Sequence, residues 1–263
     1  MISSEPPKTF PWRVLWVLLI AALLAAAAAL PFVLEVFSSL IQNAPPFPIP
    51  LPLIVVIGVA ENLLLFGVII GIGLLLARKM GLGAPLLEGW LYHEESPVTA
   101  QDSLKAGWIV GVAVGIVILG IVLVFAHRMP DLPFVKAATV PIWKRLLACF
   151  YGGVDEEILT RLFLLTLFAW LGLRFFQKQK ARLSTTTFWI ANVLAAVLFG
   201  LGHLPAASRV MQITPEVVLL ALALNSIAAV PFGYLYWKRG LESAMIAHIC
   251  ADFILYVVGP TFL

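Results

Sequence analysis

The stretch "YGGVDEEILTRLFLL", Tyr151 to Leu165, sets Asp155, Glu156, Glu157 and Arg161 inside a run that is otherwise apolar. Ionisable groups within a membrane helix cost several kcal/mol unless they pair with one another or line a cavity. Whether these four are functional therefore depends first on whether the surrounding chain crosses a membrane.

Its composition says that it does. The 263 residues are 62% hydrophobic and only 12% charged, against about 25% charged in soluble domains. Mean hydropathy is +1.02. A hydrocarbon core about 30 Å thick needs ~20 apolar helical residues to cross it. Seven segments qualify: roughly 12–34, 53–77, 104–126, 144–173, 185–204, 216–237 and 240–261. Helices are expected, because an open sheet leaves its edge groups unsatisfied in lipid. The fold class is all-α: a polytopic membrane helix bundle of seven to eight transmembrane helices. The eighth would be a short or re-entrant element within 80–103, a mixed segment that otherwise lies at the interface. The proline-rich "NAPPFPIPLP" separates the first two spans.

The first span reads as an uncleaved helix, since its apolar stretch exceeds the ~7–15 residues of a signal-peptide core. Cys149 and Cys250 both lie in apolar runs, which speaks against a disulfide framework or a zinc–thiolate site. The pI near 9.0 does not point to nucleic acid, because the basic residues cluster at span ends. With a cytoplasmic N-terminus, Lys8, Arg13, Arg78, Lys79, Lys105, Arg174, Lys178, Lys180, Arg182, Lys238 and Arg239 fall inside. Arg128, Lys136, Lys144, Arg145 and Arg209 fall outside. This asymmetry favours that orientation, in the cell membrane. Gly67 and Gly71 in the second span, and Gly107, Gly111 and Gly115 in the third, are spaced for close helix contacts.

Four polar sets interrupt the spans. Glu157 and Arg161 are four apart and share a helix face, which leaves Glu156 about 100° round an α-helix. Asp155 is either a third partner or a cavity-facing acid. "FGLGH" ends the fifth span with Phe199 and His203, and "HICAD" places His248 and Asp252 four apart in the seventh. Glu61 and Asn62 lie mid-span in the second; Glu61 is expected to line the same cavity or bond another helix. At ~1.5 Å per residue, Glu156 lies ~18 Å into its span and His248 ~12 Å into its own from the other face. His203 ends on the side where the fourth span begins. Glu156, His203 and His248 can thus meet in the half of the bilayer nearest the 127–145 loop.

The order Glu-Glu-x-x-x-Arg (156–161), Phe-x-x-x-His (199–203) and His-x-x-x-Asp (248–252) resembles the CAAX-processing and bacteriocin-processing (CPBP) family. These are intramembrane glutamic proteases that include type II CAAX prenyl endopeptidases. The likeness covers about 144–260, and "FGYLYWKRGLESAMIAH" (232–248) resembles the approach to the family's last motif. Two departures stand out: Asp252 where prenyl endopeptidases usually have Asn, and Leu162 where Gly is common.

The resemblance implies an endopeptidase in which Glu156 and His203 activate water. Glu157 and Arg161 would orient the site, while His248 and Asp252 stabilise the oxyanion. The chain then divides into an N-terminal transmembrane region, 1–143, of about three helices plus the interfacial segment, and a four-helix catalytic transmembrane core, 144–263. No cofactor is implied; zinc or another divalent metal on Glu156, His203, His248 and Asp252 is the alternative. The expected partners are a membrane-anchored or lipid-modified peptide or protein substrate and the bilayer, with no nucleic acid. The rival readings are a non-proteolytic partner-binding or bacteriocin-immunity protein and a proton-coupled transporter. A transporter often carries an inverted repeat, and none is visible here.

Overall fold

The computed structural model describes residues 9–42, 50–129, 132–176 and 183–262. Most of the proline-rich connection, and Lys8, Lys178, Lys180 and Arg182 of the charge distribution, lie outside the described residues. Among the described residues, seven helices are long and apolar enough to cross a membrane: Trp12–Val36, Pro52–Arg78, Ala100–Ala126, Ile142–Phe175, Thr185–Ala207, Pro215–Arg239 and Leu241–Phe262. They match the expected spans in number and order. Among the described residues there is no strand. The chain is an integral, multi-pass membrane helix bundle.

Local sequence sets the helix ends. Thr99, Ser184 and Thr214 cap the third, fifth and sixth helices, each side-chain oxygen accepting a backbone N–H three residues on. These bonds satisfy donors that no helix can satisfy internally. Pro50 precedes the second helix and Pro215 opens the sixth, where a missing N–H costs nothing. Gly240 has φ +92°, a left-handed conformation that lets the sixth helix turn at once into the seventh. The 80–103 segment does not cross; it forms a short helix, Pro85–Tyr92, before the third span begins at Ala100.

The third helix packs along the seventh, the fifth along the sixth, and the first and second on the fourth. Lipid tails are as apolar as leucine, so close backbone approach through small residues drives such packing. Gly107, Gly111 and Gly115 fit this role: a Cβ on them would stand 2.8 Å from Ile246 Cβ, 2.7 Å from Cys250 Cβ and 2.8 Å from Ile254 Cβ respectively. Gly67 and Gly71 do not. Nothing lies within 4 Å of a Cβ at Gly67, and only Leu15 Cδ1, at 3.8 Å, is near one at Gly71. The close contact in the second helix is at Gly73, where a Cβ would lie 2.6 Å from the Leu162 carbonyl oxygen and 2.8 Å from its Cγ. Leu162 is fully buried. Its bulk is thus accommodated by a glycine on the neighbouring helix.

Candidate functional site

The fourth span is not a uniform α-helix. Gly152–Glu156 and Ile158–Leu165 are π-helical, between α-helical Ile142–Tyr151 and Thr166–Phe175. Hydrogen bonds from i to i+5 widen the winding to roughly 80° per residue instead of 100°. Glu156 and Glu157 then lie within about 50° on either side of the direction set by Gly152. Glu156 is therefore closer to the face shared by Glu157 and Arg161 than an α-helix allows. Both carboxylates reach the seventh helix.

The three polar sets converge. Glu157 Oε1 lies 2.7 Å from His248 Nδ1, and its Oε2 lies 3.1 Å from Arg161 Nε. His248 Nε2 is 3.6 Å from Glu156 Oε2 and 3.8 Å from Asp252 Oδ1. His203 Nε2 is 3.9 Å from Glu156 Oε1. Glu157 and Arg161 are sealed, with side chains 0% and 1% exposed. Glu156 and His203 are open, at 22% and 39%. The site thus has a buried ionic floor, Arg161–Glu157–His248, and an accessible pair above it.

Each histidine is oriented by a second bond. His203 Nδ1 lies 2.8 Å from the Phe199 carbonyl oxygen. That oxygen can only accept, so Nδ1 carries the proton and in the neutral ring Nε2 presents its lone pair toward Glu156. His203 caps the α-helical segment Thr185–Gly202 of the fifth span, just before its last short helix, Leu204–Ala207. His248 differs, because both its ring nitrogens face carboxylates, an arrangement satisfied by a doubly protonated imidazolium.

Aromatic rings frame the floor. Phe199 meets His203 edge-on at 4.6 Å between centroids, and Phe232 lies 5.3 Å from the His248 ring. The Arg161 guanidinium carbon is 5.9 Å from the Phe199 centroid and 5.8 Å from that of Phe232, within cation–π range. Behind it, Thr166 Oγ1 donates to the Arg161 carbonyl at 2.9 Å and lies 2.9 Å from the Tyr236 hydroxyl.

Gly152 makes room for this cluster: a Cβ there would stand 3.0 Å from His248 Nε2 and closer still to Asp252 Oδ2. The roles of Gly152, Phe232, Thr166 and Tyr236 were not read from the sequence. The two polar ones had a signal, a lone hydroxyl within an apolar span.

Two further acids lie outside this network of contacts. Glu61 is exposed on the outer surface of the second helix, and its neighbour Asn62 bonds back to the Gly58 carbonyl at 2.9 Å. It neither lines the site nor bridges helices. Asp155 is buried and neither carboxylate oxygen has a hydrogen-bond partner, so it is not a third member of the Glu157–Arg161 pair. Lys144 and Glu35 pair at 2.6 Å, tying the start of the fourth helix to the end of the first. Among the described residues, no group of three or more His, Cys, Asp or Glu is gathered as metal ligands would be.

Residues 138–254, which contain all three motifs, match the family model described as type II CAAX prenyl endopeptidase Rce1-like. Over this segment the chain is similar to the CAAX-protease family. No curated protein and no solved structure matches it.

Proposed function

We propose that the protein is an intramembrane endopeptidase that hydrolyses a peptide bond in a membrane-anchored or lipid-modified substrate, with Glu156 as the base. The observation that carries this reading is the open pair itself. The 3.9 Å between His203 Nε2 and Glu156 Oε1 is too long for a direct hydrogen bond but suits one water bonded to both.

In the reaction, Glu156 takes a proton from that water while His203 Nε2 accepts its other hydrogen bond. The water oxygen attacks the scissile carbonyl carbon. The resulting oxyanion needs a preorganised donor, and Nε2–H of a doubly protonated His248, held through Nδ1 by Glu157, supplies it. Asp252 orients and neutralises that ring. Glu156 then returns its proton to the leaving nitrogen as the C–N bond breaks, releasing an amine and a carboxylic acid; the acid's remaining proton, the second one of the water, passes to His203 Nε2 and from there to solvent, leaving a carboxylate.

No step requires a metal, and the reaction is proposed to run without one. With the N-terminus cytoplasmic, the cluster lies in the outer half of the bilayer, which suits anchored or secreted precursors in the cell membrane. The test compares purified wild type and His203→Ala on a panel of peptides with and without a membrane anchor. Cleavage of anchored peptides that falls at least 100-fold in the variant supports the reading. Equal cleavage of soluble and anchored peptides, or an unaffected variant, contradicts it.

A further inference from the structure

At the end of the bundle opposite the Glu156–His203 cluster, a half-open cavity of about 420 Å³ lies between the end of the second helix, the 80–98 connection and the end of the sixth helix. Its charges divide by element. Arg78, Lys238 and Arg239, at the ends of the second and sixth helices, make one wall. Glu88, Glu94 and Glu95, on the short helix and the turn after it, make the other. Among the described residues, no ion pair within 4 Å joins the two walls.

The walls are also incompletely satisfied. Arg239 is engaged by Asp102 at 3.6 Å. Arg78 donates Nη1–H to the Thr9 carbonyl, while its buried Nε has no hydrogen-bond partner. Lys238 rests its ammonium 3.6 Å from the Trp237 ring centroid, with its charge exposed. Burial holds the Glu88 carboxyl above the usual carboxylate range, although a backbone bond from Ala84 and the nearby Arg78 charge pull the other way. A cation brought to Glu88 would relieve that cost.

We propose that this cavity binds a phosphoethanolamine zwitterion, presented as the headgroup of a membrane phospholipid, with its phosphate on Arg78 and Lys238 and its ammonium on Glu88 and Glu94. Separated walls of opposite sign fit a ligand carrying both charges, whereas a purely anionic headgroup would meet the three glutamates. The lipid source follows from position. The cavity opens where the spanning helices end, the level of headgroups, beside the interfacial Trp237. The assignment does not depend on proteolytic activity.

Native mass spectrometry of the detergent-purified full chain tests it, offering phosphatidylethanolamine and phosphatidylglycerol at equal concentration. Wild type is expected to retain the zwitterionic lipid at least five-fold over the anionic one. Glu88→Gln, and independently the exposed Glu94→Gln, should each at least halve that preference, with unfolding midpoints unchanged. Lys238→Ala should weaken retention of both lipids. Equal retention by wild type, or a preference untouched by both glutamate variants, overturns the site. Displacement of the lipid by equimolar soluble phosphoethanolamine overturns the lipid as its source.

Discussion

Gly152→Ala is the smallest change that should disable the site without unfolding the bundle. The new Cβ would stand 3.0 Å from His248 Nε2 and 3.2 Å from its Cδ2, and nearer still to Asp252 Oδ2. Ordinary contact begins at 3.4 Å, so His248 must give by a few tenths of an ångström and Asp252 by more. His248 has little slack, because its Nδ1 is fixed 2.7 Å from Glu157. Displacing an aligned group by ~1 Å can cost about 100-fold in rate, equivalent to ~2.7 kcal/mol in the barrier. The assay is cleavage of an anchored peptide in proteoliposomes, paired with thermal unfolding in detergent. Gly120→Ala is the control, since nothing lies within 4 Å of a Cβ at that position. Gly152→Ala activity within three-fold of wild type would refute the claim that this glycine makes room for the His248–Asp252 pair.

Other outcomes follow from the same geometry. Arg161→Met removes the guanidinium from buried Glu157 and leaves His248 as its one cationic partner, and loss of one partner of a buried pair costs about 3–5 kcal/mol; the thermal midpoint should fall sharply, more than for any substitution of exposed Glu61. Thr166→Val removes hydrogen bonds to the Arg161 carbonyl and the Tyr236 hydroxyl, each worth about 1 kcal/mol, and should lower stability measurably in denaturant or heat. Gly73→Ala drives a methyl against the Leu162 backbone and should cost about 1–3 kcal/mol, whereas Gly67→Ala should be near neutral in the same melt. Treatment with a strong chelator should leave cleavage unchanged; loss restored by added zinc would instead support the metal set Glu156, His203, His248 and Asp252.

The spans were legible because a ~20-residue apolar run has few other uses. The meeting of Glu156, His203 and His248 was legible from antiparallel order and rise per residue alone. The way each helix is turned was not. A helix surrounded by lipid is apolar on every side, so the pattern that marks the inner face of a soluble helix is missing. Mid-span position therefore points Glu61 inward where it lies outward, and small-residue spacing points to Gly67 and Gly71 where Gly73 makes the contact. The π-helical winding left no compositional mark, since it changes which carbonyl each N–H reaches and not which residues are used. It is nevertheless what brings Glu156 beside Glu157. Leu162 departs from the family's usual glycine, yet the structure supplies the missing space from Gly73 on another helix, a compensation that no local motif could reveal.

The role of Glu156 as the base is tested by single-turnover cleavage of an anchored peptide by Glu156→Gln in proteoliposomes. The glutamine keeps the shape of the side chain and loses the proton-accepting oxygen, so the rate should fall by about 10²–10⁴ with the unfolding midpoint preserved. A Glu156→Gln protein that cleaves within ten-fold of wild type would contradict the assignment and return the chemistry to another group in the cluster.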